Sequence, residues 1–330
     1  MIRALLLFSK GLDSLLAGKI IQKQGIDVIP ITYMTPYFNW QYYYKPEKYF
    51  DYCKSQGFSE SYLFDITEEY LQILKKPRYG FGCLANPCIA CKIFMISKTL
   101  KLLPKMDARF IITGEVLGQR PKSQKKWAME IIKTESGAND LLVRPLSAKL
   151  LPPSLPERLG WIDREKLYSI KGRNRQKQFQ LAKEFGINNY STPAGGCLLT
   201  DPEIGRRVLK ILKEKRKLNP LNAHLSVIGR HIFDTNLWVV LGRNHIENVK
   251  LFQACHSTVP IFTLSVPSPI AVVLEGNPDE NFIKNLLIQY SKKAKEKIVN
   301  GENVELIVPN SSIFFYEESQ QNQISLLSPL

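Results

Sequence analysis

The first twenty residues, MIRALLLFSKGLDSLLAGKI, constrain the fold more than any other stretch. An apolar run of strand length gives way after Phe8 to a turn that holds Ser9, Lys10, Gly11, Asp13 and Ser14, and a helical pattern begins near Ser14. A strand that passes through a Gly-bearing turn into a helix opens a βαβ unit and aims its turn at whatever the sheet binds. The alternation then repeats, with strands expected at 4–8, 28–33, 62–64, 110–113 and 141–143 and helices at 14–23, 46–56, 67–75, 89–103 and 174–185. The expected fold class is α/β, a parallel-sheet Rossmann-like domain over 1–205, followed by a smaller α+β domain over 206–330.

The Pro-rich stretch PLSAKLLPPSLPERLG, at 145–160, reads as an extended, rigid connection. PEIGRRVLKILKEKRK, at 202–217, reads as a basic helix that NPLN ends. Beyond it, HLSVIGRHI, LWVVLGRN, IAVVLEG and VELIVP read as strands, with helices at NVKLFQACH and DENFIKNLLIQYSKKAKEK and a low-complexity tail after about residue 316.

The turn lacks the GxxxxGKS or GxxxxGKT pattern, which excludes the usual kinase and GTPase loop. It retains what an anion site needs. Gly11 permits close backbone approach, the helix that starts near Ser14 adds its positive end, Ser9 and Ser14 carry hydroxyls, and Asp13 is placed to hold Mg²⁺ against phosphate oxygens. The alternative is an ordinary βα turn in which Asp or Ser caps the helix. TGEVLGQ, at 113–119, falls at the end of another strand on the same rim.

A formal charge of +15 exceeds what solubility needs and points to a polyanionic partner, most often nucleic acid. Lys and Arg outnumber Asp and Glu by 30 to 19 over 1–205 and by 15 to 11 over 206–330, so most of the excess lies beside the turn. The start carries no secretory pattern and no apolar run approaches the roughly 20 residues that span a bilayer, so a cytoplasmic protein without a membrane partner is expected.

In a reducing compartment, clustered cysteines are more often ligands or nucleophiles than disulfides. Cys88 and Cys91 form a C-x-x-C at the start of a probable helix, where the helix terminus lowers thiol pKa values, and Cys197 lies in the Gly- and Pro-rich turn TPAGGCLLTDP. The trio admits a zinc site completed by Cys83, an iron–sulfur cluster on three thiolates with one open iron, a persulfide relay, or inert buried thiols.

FSKGLDS resembles the SGGxDS loop of the PP-loop ATP pyrophosphatase family, which cleaves ATP between its α and β phosphates to adenylate a substrate, and departs from it at Lys10, where that family has Gly. NPCIACK resembles the NP-x-x-x-C-N segment of bacterial tRNA 2-thiouridylases, TGEVLGQ their TGHY-like segment with Glu115 in place of His, and Cys197 falls at their second catalytic cysteine. The C-x-x-C plus distant Cys arrangement is also similar to cluster-dependent tRNA thiolases and 4-thiouridine synthases. The resemblance covers roughly 1–205 and implies a HUP-type PP-loop fold. It implies Phe8, Ser9, Lys10, Gly11, Asp13, Ser14, Tyr33, Gly114 and Gln119 at the nucleotide, Mg²⁺ on Asp13, and catalysis by Asp13, Cys88, Cys91 and Cys197. The three cysteines would hold a 4Fe-4S cluster. More weakly, GRNHIENVKL resembles the glycine-arginine-asparagine turn of the NFACT RNA-binding module, with Arg230, Arg243, Asn244 and Asn248 as RNA contacts.

The expected activity is therefore ATP-dependent thiolation of a tRNA uridine, with tRNA and a sulfide or persulfide donor as partners and homodimerisation left open. A zinc-bearing amide or nitrile synthase, and a noncatalytic RNA-binding protein for which Lys10 is the best argument, are the rivals. The aromatic stretch YFNWQYYYKP reads as a stacking surface or a lid, and the basic run REKLYSIKGRNRQKQ as a track for RNA phosphates or a solvated helix face.

Overall fold

The computed structural model describes residues 1–191 and 196–309. The chain divides into two compact units, Met1–Lys210 and the part from Ile211 onward.

In the first unit, β1 (Arg3–Leu7), β2 (Asp27–Met34), β3 (Tyr62–Asp65), β4 (Phe110–Thr113) and β5 (Leu142–Val143) form one all-parallel sheet in the order β3-β2-β1-β4-β5. Alternate residues of the central strand enter two different cores. Ala4 and Leu6 pack with Leu12, Leu15 and Leu16 on one face, while Leu5 packs with Ile29, Ile111 and Ile132 on the other. A strand buried on both faces carries an unbroken apolar run, and Ala4, Leu5, Leu6 and Leu7 after Arg3 form one. The helices are α1 (Leu12–Gln22), α2 (Gln41–Tyr44), α3 (Glu47–Ser55), α4 (Thr67–Lys75), α5 (Cys88–Leu102), α6 (Lys126–Glu135), α7 (Leu155–Arg158) and α8 (Gln176–Glu184), and α9 (Pro202–Lys213) begins in this unit and runs past its end at Lys210.

From β1 the sheet extends to β2 on one side and to β4 on the other, so the connections leaving the carboxyl ends of β1 and β4 diverge and open a crevice. FSKGLDS leaves β1 there and TGEVLGQ leaves β4.

The second unit is α+β. β6 (Arg230–Asp234), β7 (Leu237–Leu241), β8 (Ile261–Leu264), β9 (Ala271–Glu275) and β10 (Leu306–Ile307) form an antiparallel sheet in the order β10-β8-β9-β7-β6. It carries α10 (Pro220–Leu225), α11 (His245–Cys255), α12 (Glu280–Tyr290) and α13 (Lys292–Val299). Val239, Leu241, Val273, Ile283 and Leu287 form its core.

Four local expectations are corrected. Residues 145–160 are folded onto the first unit: Tyr168 donates to the Pro145 carbonyl at 2.9 Å, and Ser154 with Glu157 makes a capping box on α7. NPLN starts a helix instead of only ending one, because the Asn219 side chain accepts from the Asn222 amide at 2.7 Å and Pro220 takes the first helical position. The expected strand at 224–232 therefore begins only at Arg230. The helix expected at 279–297 breaks at Ser291, whose hydroxyl accepts from Ala294 at 3.1 Å and donates to the Pro267 carbonyl at 2.7 Å.

Candidate functional site

Gly11 is the N-cap of α1 and no side chain caps that helix, so the first-turn amides are left without a side-chain acceptor. Ser14 Oγ donates to the Gly11 carbonyl at 2.8 Å and lies 3.2 Å from Ser9 Oγ, which braces the turn from inside. Ser191 donates to the Lys10 carbonyl at 2.9 Å. Lys10 has φ of +58°, the left-handed region that glycine enters without penalty, which is the physical sense of a glycine there. Its ammonium sits 4.0 Å from the Tyr52 ring centroid and 5.0 Å from that of Tyr42.

Asp13 is 8% exposed. Its Oδ2 accepts from Gln119 Nε2 at 2.7 Å, and its Oδ1 has no hydrogen-bond partner among the described residues. Gly114 lies against this carboxylate's own backbone: a Cβ there would stand 2.5 Å from the Asp13 carbonyl carbon. A side chain is thus excluded at Gly114. Phe8 and Tyr33 are core residues, Phe8 packed against Tyr52 and Phe58, and Tyr33 with its hydroxyl 3.0 Å from Thr99 Oγ1. Burial pushes the Tyr33 phenol up to about 12.

Glu115 is buried between Lys92 and Arg144, with Arg144 Nε 2.8 Å from Oε2. Burial alone would raise its carboxyl, but the two cations bring it down to about 2 from an ordinary 4.5. A depressed carboxyl contributes stability above its unfolded pKa and loses it as pH falls through the folded one, so this contribution fades between about pH 4.5 and pH 2. Glu115→Gln leaves two cations uncompensated in the interior and is expected to cost about 3 kcal/mol at pH 7, read by denaturant unfolding, with a smaller cost at pH 3.

This ion pair also locates the thiols. Lys92 follows Cys91 and pairs with Glu115, Glu115 follows Gly114, and Gly114 touches Asp13 and Ser14, so the start of α5 is tied to the β1 turn through two consecutive contacts. Cys88 and Cys91 occupy that turn of α5, and a Cβ on Gly82 would lie 3.1 Å from Cys88 Sγ. Cys197 is held to the same region, since Leu198 donates to the Tyr37 carbonyl at 2.8 Å and Ala85 donates to the Leu199 carbonyl at 3.2 Å. Residues 193–195 of the PAGGC segment lie outside the described residues, as does the tail after 309.

The helix terminus does not lower the Cys91 thiol as expected. Burial pushes it up, and nearby Cys197 and Cys88 push in the same direction. Burial also raises the Cys197 thiol. Among the described residues no three His, Cys, Asp or Glu side chains form a metal-holding group, so the thiols share a neighbourhood without a preformed coordination set. Cys83 is exposed, and Cys53 and Cys255 are buried.

Two residues next to Asp13 escaped the sequence reading. Arg175 Nη2 lies 3.7 Å from Asp13 Oδ1, and Gln178, fully buried, donates to Gln119 Oε1 at 2.9 Å. Both belong to the basic run at 164–178, where their inward direction is hidden among exposed neighbours such as Arg173 and Lys177. Arg164 of that run is internal as well, paired with Glu157 and bonded to the Ala148 and Leu151 carbonyls.

In the second unit the proposed RNA contacts have structural duties. Asn244 caps α11 by accepting from Glu247 at 3.0 Å, Arg243 pairs with Glu247, Asn248 bonds Ile270 and Ser268, and Arg230 covers the Tyr290 ring. Arg243, Asn244 and Asn248 also line a cleft of about 820 Å³ with Lys292 and Lys293. Arg216 is bound to Glu214, Glu275 and two backbone carbonyls, and Arg207 to Glu203. On α9, Arg206, Lys210 and Lys213 are exposed, and Arg206 and Lys213 serve as the test pair. Neutralising those two together is expected to lower the log-log salt slope of RNA binding by up to about two units, whereas Arg216→Gln should lower melting temperature instead. An unchanged slope would remove the helix from the RNA interface.

No family model matches the chain, and no curated protein matches it. Among solved structures it is similar to a 4-thiouridine synthetase in complex with RNA and bound ATP, at 21% identity over 64% of this chain and 52% of that one, with a TM-score of 0.37. It is similar to NMN synthetase from Francisella tularensis at 15% identity, over 68% and 81%, with a TM-score of 0.36. It is similar also to the U34-tRNA thiolase NcsA from Methanococcus maripaludis with its 4Fe-4S cluster, at 15% identity, over 68% and 70%, with a TM-score of 0.34. Likenesses of this size leave binding and activity to be read from the residues themselves. No helix among the described residues is long and apolar enough to cross a membrane.

Proposed function

We propose that this chain is a PP-loop enzyme that activates a tRNA uridine with ATP and replaces the activated oxygen with sulfur, with residues 1–205 as the catalytic part and the remainder assisting RNA binding. The observation that supports the reading is the contact path from Lys92, the residue after Cys91, through Glu115 and Gly114 to Asp13, which ties the helix that bears Cys88 and Cys91 to the phosphate-type turn. Sulfur chemistry alone does not need the turn, and adenylation alone does not need the thiols.

In this mechanism the first-turn amides of α1 and the Ser9 hydroxyl receive the phosphates of ATP, and the Ser14 hydroxyl joins them by turning its proton from the Gly11 carbonyl to a phosphate oxygen. Asp13 Oδ1, buried and without a hydrogen-bond partner among the described residues, suits a divalent ion, and Mg²⁺ bound there would neutralise charge on the departing pyrophosphate. The uracil carbonyl oxygen attacks the α phosphorus and the bond to pyrophosphate breaks. A sulfur nucleophile then adds to the same ring carbon, the carbon–oxygen bond breaks, and AMP leaves. Lys10 does not crowd the phosphate turn with an unpaired charge, because its ammonium is held over Tyr52 and Tyr42. The donor set Cys88, Cys91 and Cys197 suits iron–sulfur ligation in its chemistry, and a cluster held there would keep inorganic sulfide deprotonated and nucleophilic. The formal charge of +15 supports a polyanionic substrate.

The test is direct. Nucleoside mass spectrometry of tRNA incubated with the protein, ATP, Mg²⁺ and sulfide should show a thiouridine that is missing without ATP. Absence of any thiolated nucleoside, with AMP formed on a small-molecule carboxylate instead, would move the chain to amide synthesis.

A further inference from the structure

Asp13 and two side chains near it carry buried polar atoms that have no hydrogen-bond partner among the described residues: Asp13 Oδ1, Gln178 Oε1, and both Nε and Nη2 of Arg175. Folded chains leave few such atoms, and a group of them on linked side chains calls for a partner from outside the chain. Their chemistry says which partner. Nε and Nη2 form one edge of the guanidinium, the two-donor fork that matches two oxygens of a phosphate. Asp13 stands 3.7 Å from Nη2, too far to occupy that fork with a hydrogen bond, and the Phe179 ring 5.4 Å from the guanidinium carbon supports it from the side. Asp13 Oδ1 is an acceptor for a cation, and Gln178 Oε1 is an acceptor for a donor such as a metal-bound water.

The remaining bonds are directional. Gln178 Nε2 donates to Gln119 Oε1, and Gln119 Nε2 donates to Asp13 Oδ2. The two amides therefore fix one carboxylate oxygen and leave the other facing outward from the chain of bonds. A lone anion would satisfy Arg175 but not Asp13, and a lone cation the reverse. Magnesium pyrophosphate satisfies both.

We propose that Arg175 is a pyrophosphate-binding residue, with its Nε–Nη2 edge taking two oxygens of the β and γ phosphates, and that Gln119 and Gln178 are positioning residues that reserve Asp13 Oδ1 for the metal ion. This assignment rests on the ATP-activating reading above.

The full-length protein is titrated calorimetrically with inorganic pyrophosphate in Mg²⁺, and separately with AMP. Arg175→Gln is expected to weaken pyrophosphate binding about 10- to 100-fold and to leave AMP affinity within about twofold, the loss of two charge-assisted hydrogen bonds. Arg175→Lys keeps the charge without the fork and should fall between the two, which serves if the Gln variant does not fold. Gln178→Ala should raise the Mg²⁺ concentration needed for half-maximal pyrophosphate binding severalfold, with affinity at saturating Mg²⁺ preserved. Pyrophosphate binding by Arg175→Gln and Arg175→Lys equal to wild type would make Arg175 only the counterion of Asp13 and overturn the assignment while ATP activation stands. A wild-type protein that binds neither ATP nor pyrophosphate overturns both.

Discussion

Asp13→Ala should reduce AMP release from ATP by about a thousandfold or more, while RNA binding stays within about twofold of wild type. The expectation follows from where the carboxylate sits. Its Oδ2 is held by Gln119, its Oδ1 is buried and has no hydrogen-bond partner among the described residues, and its residue lies in the first turn of a helix whose N-terminal amides have no side-chain cap. Removing it deletes the one carboxylate that the described residues place in this turn, and with it the ligand for a metal that would neutralise the leaving group. The same substitution should not unfold the chain, because the core of β1 and α1 is built from Ala4, Leu6, Leu12, Leu15 and Leu16, not from Asp13. Radiolabelled ATP with bulk tRNA reads the AMP, and filter binding reads the RNA. If AMP release persists in the variant, the turn is an ordinary βα connection and the adenylating mechanism is lost with it.

The parts of this molecule that were legible in the sequence are those fixed by local pattern. RALLL and FIIT are buried on both faces and read as strands directly, and the strand-turn-helix around Gly11 announced its place on the sheet. Helix α6 was not legible, because Lys125, Lys126 and the exposed Trp127 mask the buried stripe of Ala128, Met129 and Ile132. Strand β8 is four residues long and followed closely by Ser and Pro, which hides it from a period-two reading. The site divides in the same way. Asp13 and the C-x-x-C follow from spacing, but Arg175 reaches Asp13 from the far end of the first unit and Gln178 reaches Gln119, and nothing local distinguishes them from the exposed cations beside them. Likewise Glu115 stood out only as a departure from a histidine, whereas its pairing with Lys92 and Arg144 is a tertiary fact. The helix terminus suggested acidic thiols, and burial, which depends on the packing of Tyr70, Tyr37 and the 197 segment, reversed the direction at Cys91. Charge runs misled most, since Arg164, Arg207 and Arg216 are each paired with a carboxylate of the fold.

Cys88→Ala, Cys91→Ala and Cys197→Ala should each abolish thiolation while leaving ATP cleavage near wild type, and Cys83→Ala should leave both intact. The first three cysteines share a neighbourhood beside the β1 turn, whereas Cys83 is exposed on the loop before α5. Two routes for sulfur differ in their electron balance. A persulfide relay needs two thiols, and it ends with a disulfide once the terminal sulfur has left, so each turnover consumes a reductant. A cluster held by Cys88, Cys91 and Cys197 would supply hydrosulfide instead, and that route changes no oxidation state, since sulfide adds to the ring carbon as AMP leaves with its oxygen. The presence of a third thiol favours the second route. Protein prepared anaerobically and reconstituted with iron and sulfide should therefore be brown, hold about four irons per chain, and thiolate tRNA from inorganic sulfide without a reductant. Loss of Cys88, Cys91 or Cys197 should remove the iron, and loss of Cys83 should not. A colourless protein that works in air from a persulfide donor, stalls without a reductant and tolerates the loss of one of the three would assign the sulfur step to the relay.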